Sequence, residues 1–433
     1  MAWKRLCAYT PQKPSRLTLS VIVSKQTAKM KQNFDSQELI KYLKKGELIR
    51  NDLEKEDIES EILNLEQQIL NESFEFDFKF NGEYYFLENI SQKLILRKLN
   101  DNIKRIYKDE QANRKFIIQQ VKTLLSETAP FWIIKTDIKS FYESINNDRI
   151  FRKLKNDAML SYYSIFLIKK IFENNIISPT GLPRGLNISA SLSEIYMRNF
   201  DKAIQRYNDV FYYARFVDDI IIFLNNKESA LELFQNLNLI ISNEKIDLKI
   251  NDEKTELIDG ANFKILKKGY NRRPIHNNIE YLGYKFHLSD SENKRENKLK
   301  ISIADKKTKK IKSRIVKSYV DFLRTNDFEL LKKRVRFLTG NYGISKSNDG
   351  SVLKAGIYYN YPHINDLEIL KELNQFHKKI VYSRNGNLGV KLNAILTSNQ
   401  RDILKKHCFV AGFRNKTYNS FTYVEMSKII QSW

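Results

Sequence analysis

The spacing of apolar and polar positions along the chain predicts helices first and then a hairpin. Over residues 35–70 apolar side chains recur at helical spacing among many charged positions, which predicts two exposed helices. A capping box from Asp35 to Glu38 marks where the first helix begins. Over residues 74–87 aromatic side chains alternate with polar ones around an Asn-Gly pair at 81–82, which predicts a β-hairpin.

Further along, the pattern predicts short buried strands that end in carboxylates, followed by a helical region. Helical spacing covers residues 94–125, and the apolar run 131–134 after it predicts a strand that ends at Asp137. The segment 211–224, FYYARFVDDIIIFL, predicts two apolar strands joined at an Asp-Asp pair. Beyond residue 300 the pattern is helical and basic, with a Gly/Asn/Ser-rich loop at 340–351.

Charge is distributed unevenly along the chain, and this distribution indicates a polyanionic partner. The 433 residues include 74 Lys+Arg against 51 Asp+Glu, which gives a net charge of +23. Residues 1–34 hold seven basic and no acidic residues, and residues 301–433 hold 25 basic and 10 acidic ones. Because the excess lies at the two ends, nucleic acid is the expected partner, with a membrane surface or simple solubility as the alternatives.

Composition excludes several classes of protein. With 42% hydrophobic and 12% aromatic residues the chain can build a core, so wholesale disorder is excluded. No apolar run approaches the roughly 18 residues that a membrane-spanning helix needs, so we expect a soluble, cytoplasmic protein with no membrane partner. The two cysteines, Cys7 and Cys408, lie at opposite ends and exclude a disulfide framework and a CxxC zinc site.

Three carboxylates at the ends of apolar strands are the candidate catalytic residues. Asp218 and Asp219 are adjacent and flanked by apolar strand residues, where two carboxylates repel each other and are costly to desolvate unless a cation compensates. Asp137 ends another apolar strand earlier in the chain. Carboxylates that converge on one sheet edge can hold two Mg²⁺ ions for phosphoryl transfer, with Mn²⁺ as the alternative ion. The competing interpretation is an exposed Asp-Asp turn at a hairpin tip.

A loop bounded by glycines lies between these carboxylates in the sequence. Gly181-Leu-Pro-Arg-Gly185 precedes a predicted helix that runs to about Arg206. Glycine lacks a Cβ and lets a loop approach a nucleotide or a template base closely, and a helix N-terminus offers unpaired N–H groups. Many turns have this composition, so the specific signal is the order of the loop, after the first carboxylate and before the Asp-Asp pair.

Five segments resemble, in order and spacing, the palm motifs of reverse transcriptases. They are DIKSFYESI (137–145), GLPRGLNISASL (181–192), RFVDD (215–219), NDEKT (251–255) and YLGYKF (281–286). The resemblance covers about residues 90–290. It implies an α+β right-hand polymerase, with fingers, a palm built on an antiparallel sheet and a thumb, followed by a basic, mainly helical C-terminal region. The implied divisions are an N-terminal extension with a basic arm and helices (1–73), fingers and palm (74–300), and the basic helical thumb and C-terminal region (301–433).

The resemblance also implies roles for individual residues. Asp137, Asp218 and Asp219 would hold the metal ions, and Lys254 would face the triphosphate as a candidate general acid. Tyr142 would exclude a ribose 2′-OH. The implied nucleotide contacts are Ile138, Tyr142, Arg184, Gly185 and Arg114, although a solvated helix face explains Arg114 equally well. The implied template and primer contacts are Gly181, Pro183, Ser189, Tyr281, Leu282 and Gly283. The expected RNA-binding residues are Lys306, Lys307, Lys309, Lys310, Lys312 and Arg314.

Two positions depart from the family pattern. The usual Tyr-x-Asp-Asp is Phe216-Val217-Asp218-Asp219 here, and the usual Gln of the glycine loop is Arg184, so both changes bear on template handling and fidelity. The combination of DIKSFYESI with GLPRG most resembles the bacterial abortive-infection and defence-associated reverse transcriptases, including those that work as a pair of polymerases against viruses.

The expected function is therefore RNA-directed DNA synthesis from dNTPs on an RNA template, in antiphage defence with an associated non-coding RNA. DNA would be the product, and a second polymerase or a second copy of this chain would be the protein partner. One alternative is RNA-dependent RNA synthesis, against which Tyr142 argues. The other is a weakly active, polymerase-derived RNA-binding scaffold, against which the complete carboxylate set argues.

Overall fold

The computed structural model describes most of the chain. The described residues are 31–44, 46–51, 53–108, 112–127, 129–244, 246–260, 264–267, 278–288, 299–346 and 352–433. Most of the basic arm expected at 1–34 lies outside them.

The described part of the chain combines many helices with antiparallel strands. The helices are α1 (Ser36–Leu39), α2 (Glu47–Asn51), α3 (Lys55–Leu70), α4 (Ile90–Tyr107), α5 (Arg114–Leu125), α6 (Phe141–Ser144), α7 (Asn147–Asp157), α8 (Tyr162–Phe172), α9 (Asn187–Gln205), α10 (Lys227–Asn243), α11 (Asp305–Thr325), α12 (Phe328–Thr339), α13 (Glu368–Tyr382), α14 (Gly386–Ile395), α15 (Ser398–Lys405), α16 (Phe409–Arg414) and α17 (Tyr423–Ile430). Two short 3₁₀ helices are Ile40–Tyr42 and Asp252–Lys254. The strands are β1 (Phe78–Phe80), β2 (Tyr85–Leu87), β3 (Trp132–Asp137), β4 (Val210–Phe216), β5 (Asp219–Leu224), β6 (Glu256–Asp259), β7 (Lys264–Lys267), β8 (Asn278–Tyr281), β9 (Tyr284–Leu288), β10 (Leu299–Ile303), β11 (Asn341–Lys346) and β12 (Val352–Gly356).

The chain divides into two compact units, each assembled from three separate stretches of sequence. The first unit comprises Met1–Gln111, Lys139–Lys202 and Ile240–Lys249. The second unit comprises Ala112–Ile138, Ala203–Leu239 and Ile250–Trp433. The division of the sequence at 1–73, 74–300 and 301–433 stays a prediction.

The first unit is mainly helical and carries one described hairpin. The hairpin predicted over 74–87 is confirmed, because β1 pairs with β2 in antiparallel register. The helical spacing predicted over 94–125 is also confirmed, as α4 in the first unit and α5 in the second. Lys108 ends α4 in the left-handed conformation, at φ +48°, so the two helices are not continuous. The helix predicted to follow the glycine loop is α9.

The sequence predicted two helices over 35–70. The described residues of this range form three α-helices, α1 to α3, and one short 3₁₀ helix, so the prediction is wrong in number. Asp35 accepts a hydrogen bond from the backbone N–H of Glu38 at 2.8 Å and caps α1. The carboxylate of Glu38 accepts from the ammonium of Lys41 at 2.6 Å, so only half of the capping box is formed. Gly46 has φ +75°, and a residue in this region cannot continue a right-handed helix.

A five-stranded antiparallel sheet lies in the second unit, in the order β4-β5-β3-β6-β7. The strand predicted to end at Asp137 is β3, and the two strands predicted over 211–224 are β4 and β5. The apolar run from Ile220 to Leu224 has no exposed surface, because β5 is paired on both edges and packed within the core. The predicted antiparallel sheet is therefore confirmed, with the candidate carboxylates at the end of its central strands.

The region after residue 300 contains more strand than the sequence predicted. β10 pairs with β9 in a three-stranded antiparallel sheet, ordered β10-β9-β8. The loop predicted at 340–351 is wrong over 341–346, which forms β11 and pairs with β12. A Cβ at Gly343 would lie 2.7 Å from the Tyr418 hydroxyl, so close packing explains why this residue is glycine. The Gly, Asn and Ser content of the segment 340–351 had instead indicated a loop. Residues 347–351 lie outside the described part.

The C-terminal helices pack on the sheets through one apolar cluster of the second unit. In α11, Ile315, Tyr319 and Phe322 follow helical spacing and are almost fully buried in this cluster, together with Phe223 of β5. The expected mainly helical C-terminal region is thereby confirmed, as is the α+β class. Among the helices of the described residues, none is long and apolar enough to cross a membrane.

Candidate active site

Two of the predicted carboxylates face each other across the central strand pair of the second unit. β3 and β5 are antiparallel, and Asp137 lies directly opposite Asp219. Side chains opposed in this way have Cβ atoms about 4.5–5.5 Å apart. Asp218 directly precedes Asp219 at the turn between β4 and β5, where Val217 has φ +61°. The structure therefore brings together the three carboxylates that the sequence singled out.

These carboxylates influence one another electrostatically. Burial, and then the negative charges of Asp218 and Asp137, raise the pKa of Asp219 to about 6. The positive charges of Lys135 and Lys254 act in the opposite direction. Such a cluster of acids is the environment in which a bound cation gains most from electrostatic attraction.

Lys254 lies at the edge of this cluster and partly neutralises it. Its Nζ donates a hydrogen bond to Oδ2 of Asp137 at 2.6 Å. That hydrogen bond, with the charges of the carboxylates, raises the pKa of Lys254, so its ammonium stays protonated at neutral pH. The Lys254 side chain is 65% exposed, whereas that of Asp137 is 10% exposed. A protonated, accessible amine therefore lies beside a buried carboxylate.

The donor atoms of this cluster fit a magnesium ion. Oδ1 of Asp137 is buried and has no hydrogen-bond partner, so this carboxylate oxygen is available as a hard ligand for a cation. Within the described residues, no three His, Cys, Asp or Glu side chains form a group that could hold a metal ion by themselves. Mg²⁺ in polymerase-type sites is held through one or two carboxylates together with water and substrate phosphates, so a small donor set suits it.

Asp137 and Asp219 line a cavity of about 680 Å³ that lies entirely within the second unit. The other predicted site residues on its wall are Arg114, Lys254, Tyr281, Leu282, Gly283, Lys306 and Lys307. Asp137, Asp219 and Lys254 thus share one cavity with the predicted contacts at 281–283 and the first basic residues of α11, whereas Asp218 is not on its wall. Sequence reasoning missed Asn360 and Tyr361, which also line it. The aromatic residues of GIYYNY at 356–361 could have indicated stacking on RNA, but core packing of a helical domain explains such a segment better.

Two of the residues predicted to contact the substrates, Ile138 and Tyr281, are buried and donate hydrogen bonds to the backbone of Asp218 and Asp219. Ile138 is 1% exposed, and its N–H donates to the Asp218 carbonyl at 3.3 Å, so any nucleotide contact would come from its backbone. Tyr281 is 3% exposed, and its hydroxyl donates to the Asp219 carbonyl at 3.4 Å. Both residues fix the strand ends that carry the acids.

Four other predicted residues lie in the first unit and share a separate cavity there, of about 490 Å³. They are Tyr142, Arg184, Gly185 and Ser189. The Arg184 guanidinium pairs with the Glu143 carboxylate, with Nη2 3.0 Å from Oε2, and its centre lies 5.7 Å from the Tyr142 ring. The arginine that replaces the usual Gln is thus held against the tyrosine expected to select the sugar.

The conformation of the glycine loop is explained by packing within the first unit. A Cβ at Gly185 would lie 2.6 Å from the Tyr85 carbonyl oxygen, and one at Gly181 would lie 2.7 Å from Cα of Glu143. Both glycines also have positive φ angles, which disfavour any other residue. The carbonyl of Pro183, which is buried, accepts a hydrogen bond from the buried Ser189 hydroxyl at 2.6 Å. Both glycines, Pro183 and Ser189 therefore shape the loop.

The basic residues predicted to bind RNA lie on more than one face of α11. Lys307, Lys310 and Arg314 line a groove of about 220 Å³, together with Tyr342 and Tyr361. Lys306 lines the larger cavity with the carboxylates. Lys309 is exposed outside both cavities, and Nζ of Lys312 lies 5.6 Å from the Phe376 ring centre. The predicted set is therefore divided between the groove, the larger cavity and other surfaces of α11, and its role in RNA binding stays a prediction.

This antiparallel sheet, with opposed acids beside a basic groove, is typical of a nucleotidyl-transfer fold. Residues 87–286 match the family "Reverse transcriptase (RNA-dependent DNA polymerase)". The match includes Asp137, Asp218, Asp219, Lys254 and the turn at 282–283. Residues 87–286 therefore resemble a reverse transcriptase domain, and the α+β polymerase fold expected from the motifs is confirmed.

Solved structures and curated sequences complete the comparison. Apo telomerase from Candida tropicalis, truncated from its C-terminal domain, aligns with 59% of this chain and 50% of that one, at 13% identity and a TM-score of 0.34. Telomerase from Candida albicans, in complex with a fragment of telomeric RNA, aligns with 78% of this chain and 56% of that one, at 11% identity and a TM-score of 0.32. The alignments thus span about half the length of these telomerases. No curated protein matches the sequence.

Proposed function

We propose that this protein is an RNA-directed DNA polymerase that incorporates dNTPs with the help of two Mg²⁺ ions, or of Mn²⁺ in their place. The observation that carries the proposal is the opposition of Asp137 and Asp219 on β3 and β5, next to Asp218, within the reverse transcriptase match. These three residues would hold the ions. When bound, such ions stabilise the attacking and leaving oxygens of phosphoryl transfer.

The side chains around the carboxylates have separate tasks in this proposal. Lys254 orients Asp137 through their hydrogen bond, and its protonated, accessible Nζ can donate a proton to the leaving pyrophosphate. Tyr142 and Arg184 line the cavity of the first unit, and we assign the choice between deoxyribose and ribose to the Tyr142 ring. The cation of Arg184 over this ring supports a fixed orientation for it.

The basic groove on α11 supports RNA as the template or accessory ligand. Lys307, Asn360 and Tyr361 line both this groove and the cavity that holds the carboxylates, so one strand can lie along both. Cationic side chains beside tyrosines suit a nucleic-acid strand, because they pair with phosphates while the aromatic rings contact bases or sugars.

Replacement of the acids tests the assignment. The double variant Asp218→Asn and Asp219→Asn keeps the side-chain shape but removes both charges, and we expect no detectable dNTP incorporation on a primed RNA template. Asp137→Asn should behave in the same way. The matched control is Asp402→Asn, which removes an exposed charge on α15 and should retain full activity. Substantial Mg²⁺-dependent synthesis by the double variant would refute the proposal.

The biological setting that we propose is antiphage defence in the cytoplasm, with an associated non-coding RNA and with a second polymerase or a second copy of the chain as protein partner. The segments DIKSFYESI and GLPRG support it through their resemblance to defence-associated enzymes. Sequencing of the nucleic acid that copurifies with the protein would report template and product together. If phage plaque numbers are equal with the wild type and with the Asp218/Asp219 double variant, the defence role is wrong.

A further inference from the structure

Arg114, the first residue of α5, makes hydrogen bonds to two backbone segments of the second unit. Its Nε and Nη2 donate to the carbonyl oxygen of Leu282, at 2.9 and 2.6 Å. Its Nη1 donates to the carbonyl oxygen of Asn360 at 2.9 Å. All three guanidinium nitrogens therefore have a backbone acceptor, and the side chain ties the turn between β8 and β9 to the loop after β12.

Two tyrosine rings hold the guanidinium of Arg114 in this orientation. Its centre lies 5.1 Å from the ring centre of Tyr284 and 5.7 Å from that of Tyr361. The two rings contact each other edge to face, with centres 5.7 Å apart. Stacking on aromatic rings favours a fixed guanidinium plane, and backbone carbonyls take three of the five N–H donors of Arg114, so a reorientation of this side chain toward a triphosphate would break these contacts.

The turn that Arg114 contacts has a conformation that needs support. Leu282 has φ +44° and Gly283 has φ +81°. The left-handed region is strained for a residue with a Cβ, so the leucine persists only if neighbouring contacts hold it. Arg114 supplies two of these contacts at the Leu282 carbonyl. The Gly283 carbonyl accepts from the N–H of Ala304 at 3.0 Å, which anchors the other side of the turn.

The supported turn forms part of the wall of the carboxylate cavity. Arg114, Leu282 and Gly283 line this cavity together with Asp137 and Asp219. A shift of the turn would therefore change the shape of the space beside the acids without altering the acids themselves. Misplacement of a reacting group by about 1 Å can cost on the order of a hundredfold in rate.

We propose that Arg114 is a positioning residue, which locks the turn at 282–283 and thereby places the primer end against the carboxylates. The inference rests on the proposed polymerase function and goes beyond it, because it assigns to Arg114 a role toward the primer in place of the triphosphate. The two roles predict different kinetic defects. Replacement of a residue that binds the triphosphate changes the KM for dNTP. Replacement of a residue that positions the primer changes primer binding and kcat.

The kinetic test compares Arg114→Gln and Arg114→Lys with Lys115→Gln, which removes the same charge from the next, exposed residue of α5. In single-nucleotide extension, Arg114→Gln should lower kcat/KM for the primer by about tenfold or more and leave the KM for dNTP within about twofold. Arg114→Lys should be intermediate, because an ammonium lacks the planar fork that meets both carbonyls. A raised KM for dNTP with unchanged primer parameters would overturn the proposal.

Hydrogen exchange provides a readout that does not depend on catalysis. Backbone amides over residues 281–286 should exchange faster in Arg114→Gln than in the wild type, and at wild-type rates in Lys115→Gln and in the Asp218/Asp219 double variant. Unchanged exchange in Arg114→Gln would overturn the positioning role even if the variant were less active. A wild-type protein without polymerase activity would instead refute the function, and with it the primer role, whatever the exchange data showed.

Discussion

Tyr142 illustrates how a single residue acquires a defined role from its surroundings. Its ring lines the cavity of the first unit and lies under the Arg184 guanidinium, which is in turn paired with Glu143. The preceding aromatic residue, Phe141, is only 3% exposed and belongs to the core. Of the aromatic pair in the DIKSFYESI segment, Tyr142 is therefore the residue that can contact a nucleotide.

The first prediction concerns sugar selection. Replacing Tyr142 with Val opens space in the cavity, so the ratio of kcat/KM for rNTP to that for dNTP should rise by about tenfold or more. Steady-state incorporation of matched rNTP and dNTP pairs measures this ratio. Tyr162→Val, which removes an exposed tyrosine of the same unit, should leave it unchanged. An active Tyr142→Val enzyme with the wild-type ratio would show that Tyr142 does not select the sugar.

A second residue-scale prediction concerns His377 on α13. His377 is 2% exposed, and its Nε2 lies 2.8 Å from the Tyr319 hydroxyl. Burial, with a smaller contribution from His407, lowers the pKa of His377 to about 4. The unfolded chain binds this proton near pH 6.5, so it binds more protons than the folded chain between the two values. This contribution to stability is present above pH 6.5 and is lost as the pH falls toward 4.

We therefore expect the free energy of unfolding to fall by roughly 2–3 kcal/mol between pH 7.5 and pH 4.5 on account of His377 alone. Urea denaturation at both pH values measures the difference in the wild type and in His377→Gln. The fall should be smaller in the variant by about that amount. Equal pH dependence in the two proteins would contradict the assignment of a buried neutral imidazole.

At the scale of elements, α11 shows how one helix distributes its charges between different surroundings. Ile315, Tyr319 and Phe322 hold the helix on the apolar cluster, which fixes the rotation of its other faces. Lys307 and Arg314, seven residues apart, consequently face the same groove. The basic run is therefore divided into residues that line a cavity and residues that face elsewhere.

This division predicts unequal effects on RNA binding. A triple variant, Lys307→Gln, Lys310→Gln and Arg314→Gln, should flatten the slope of log K against log salt by about 2 to 3, because each phosphate contact contributes about 0.7–0.9. Filter binding at several salt concentrations measures the slope. The matched control replaces three lysines of α11 outside the groove: Lys309, Lys312 and Lys317. Equal slopes for the two triple variants would show that the groove does not hold the RNA.

At the scale of the whole molecule, the proposed catalytic residues and the proposed RNA-binding residues lie in different parts of the sequence. The carboxylates come from strands in the reverse transcriptase match, whereas much of the positive charge follows residue 300. Phosphate contacts supply most of the affinity of a basic protein for nucleic acid. Loss of activity and loss of RNA affinity should therefore be separable.

The fourth prediction tests this separation. The Asp218→Asn and Asp219→Asn double variant should bind RNA with a Kd within about threefold of the wild-type value, since two carboxylates contribute no phosphate contact. The groove triple variant should bind RNA more weakly at physiological salt. Filter binding with one RNA at one salt concentration makes the comparison. A loss of RNA affinity in the acid variant as large as in the groove variant would mean that the acids are needed for binding.

The sequence by itself determined most of the elements and the candidate chemistry of this protein. Short continuous apolar runs identified β3, β4 and β5, and the acids at their ends stood out because charged residues are unusual beside buried strands. The order of the motifs then identified the polymerase class. These features are local, since the period of a segment and the chemistry of its side chains are present in the segment itself.

Tertiary structure decided which distant residues meet. Register between β3 and β5 sets Asp137 opposite Asp219, and packing against Tyr85 requires the glycine at 185. One hydrogen-bond partner of Arg114 is likewise a carbonyl 168 residues away, and no local pattern predicts it. Cross-strand pairing made a strand of 341–346, where composition indicated a loop. The physical reason is the same in each case: these contacts depend on the register and packing of segments that are remote in sequence.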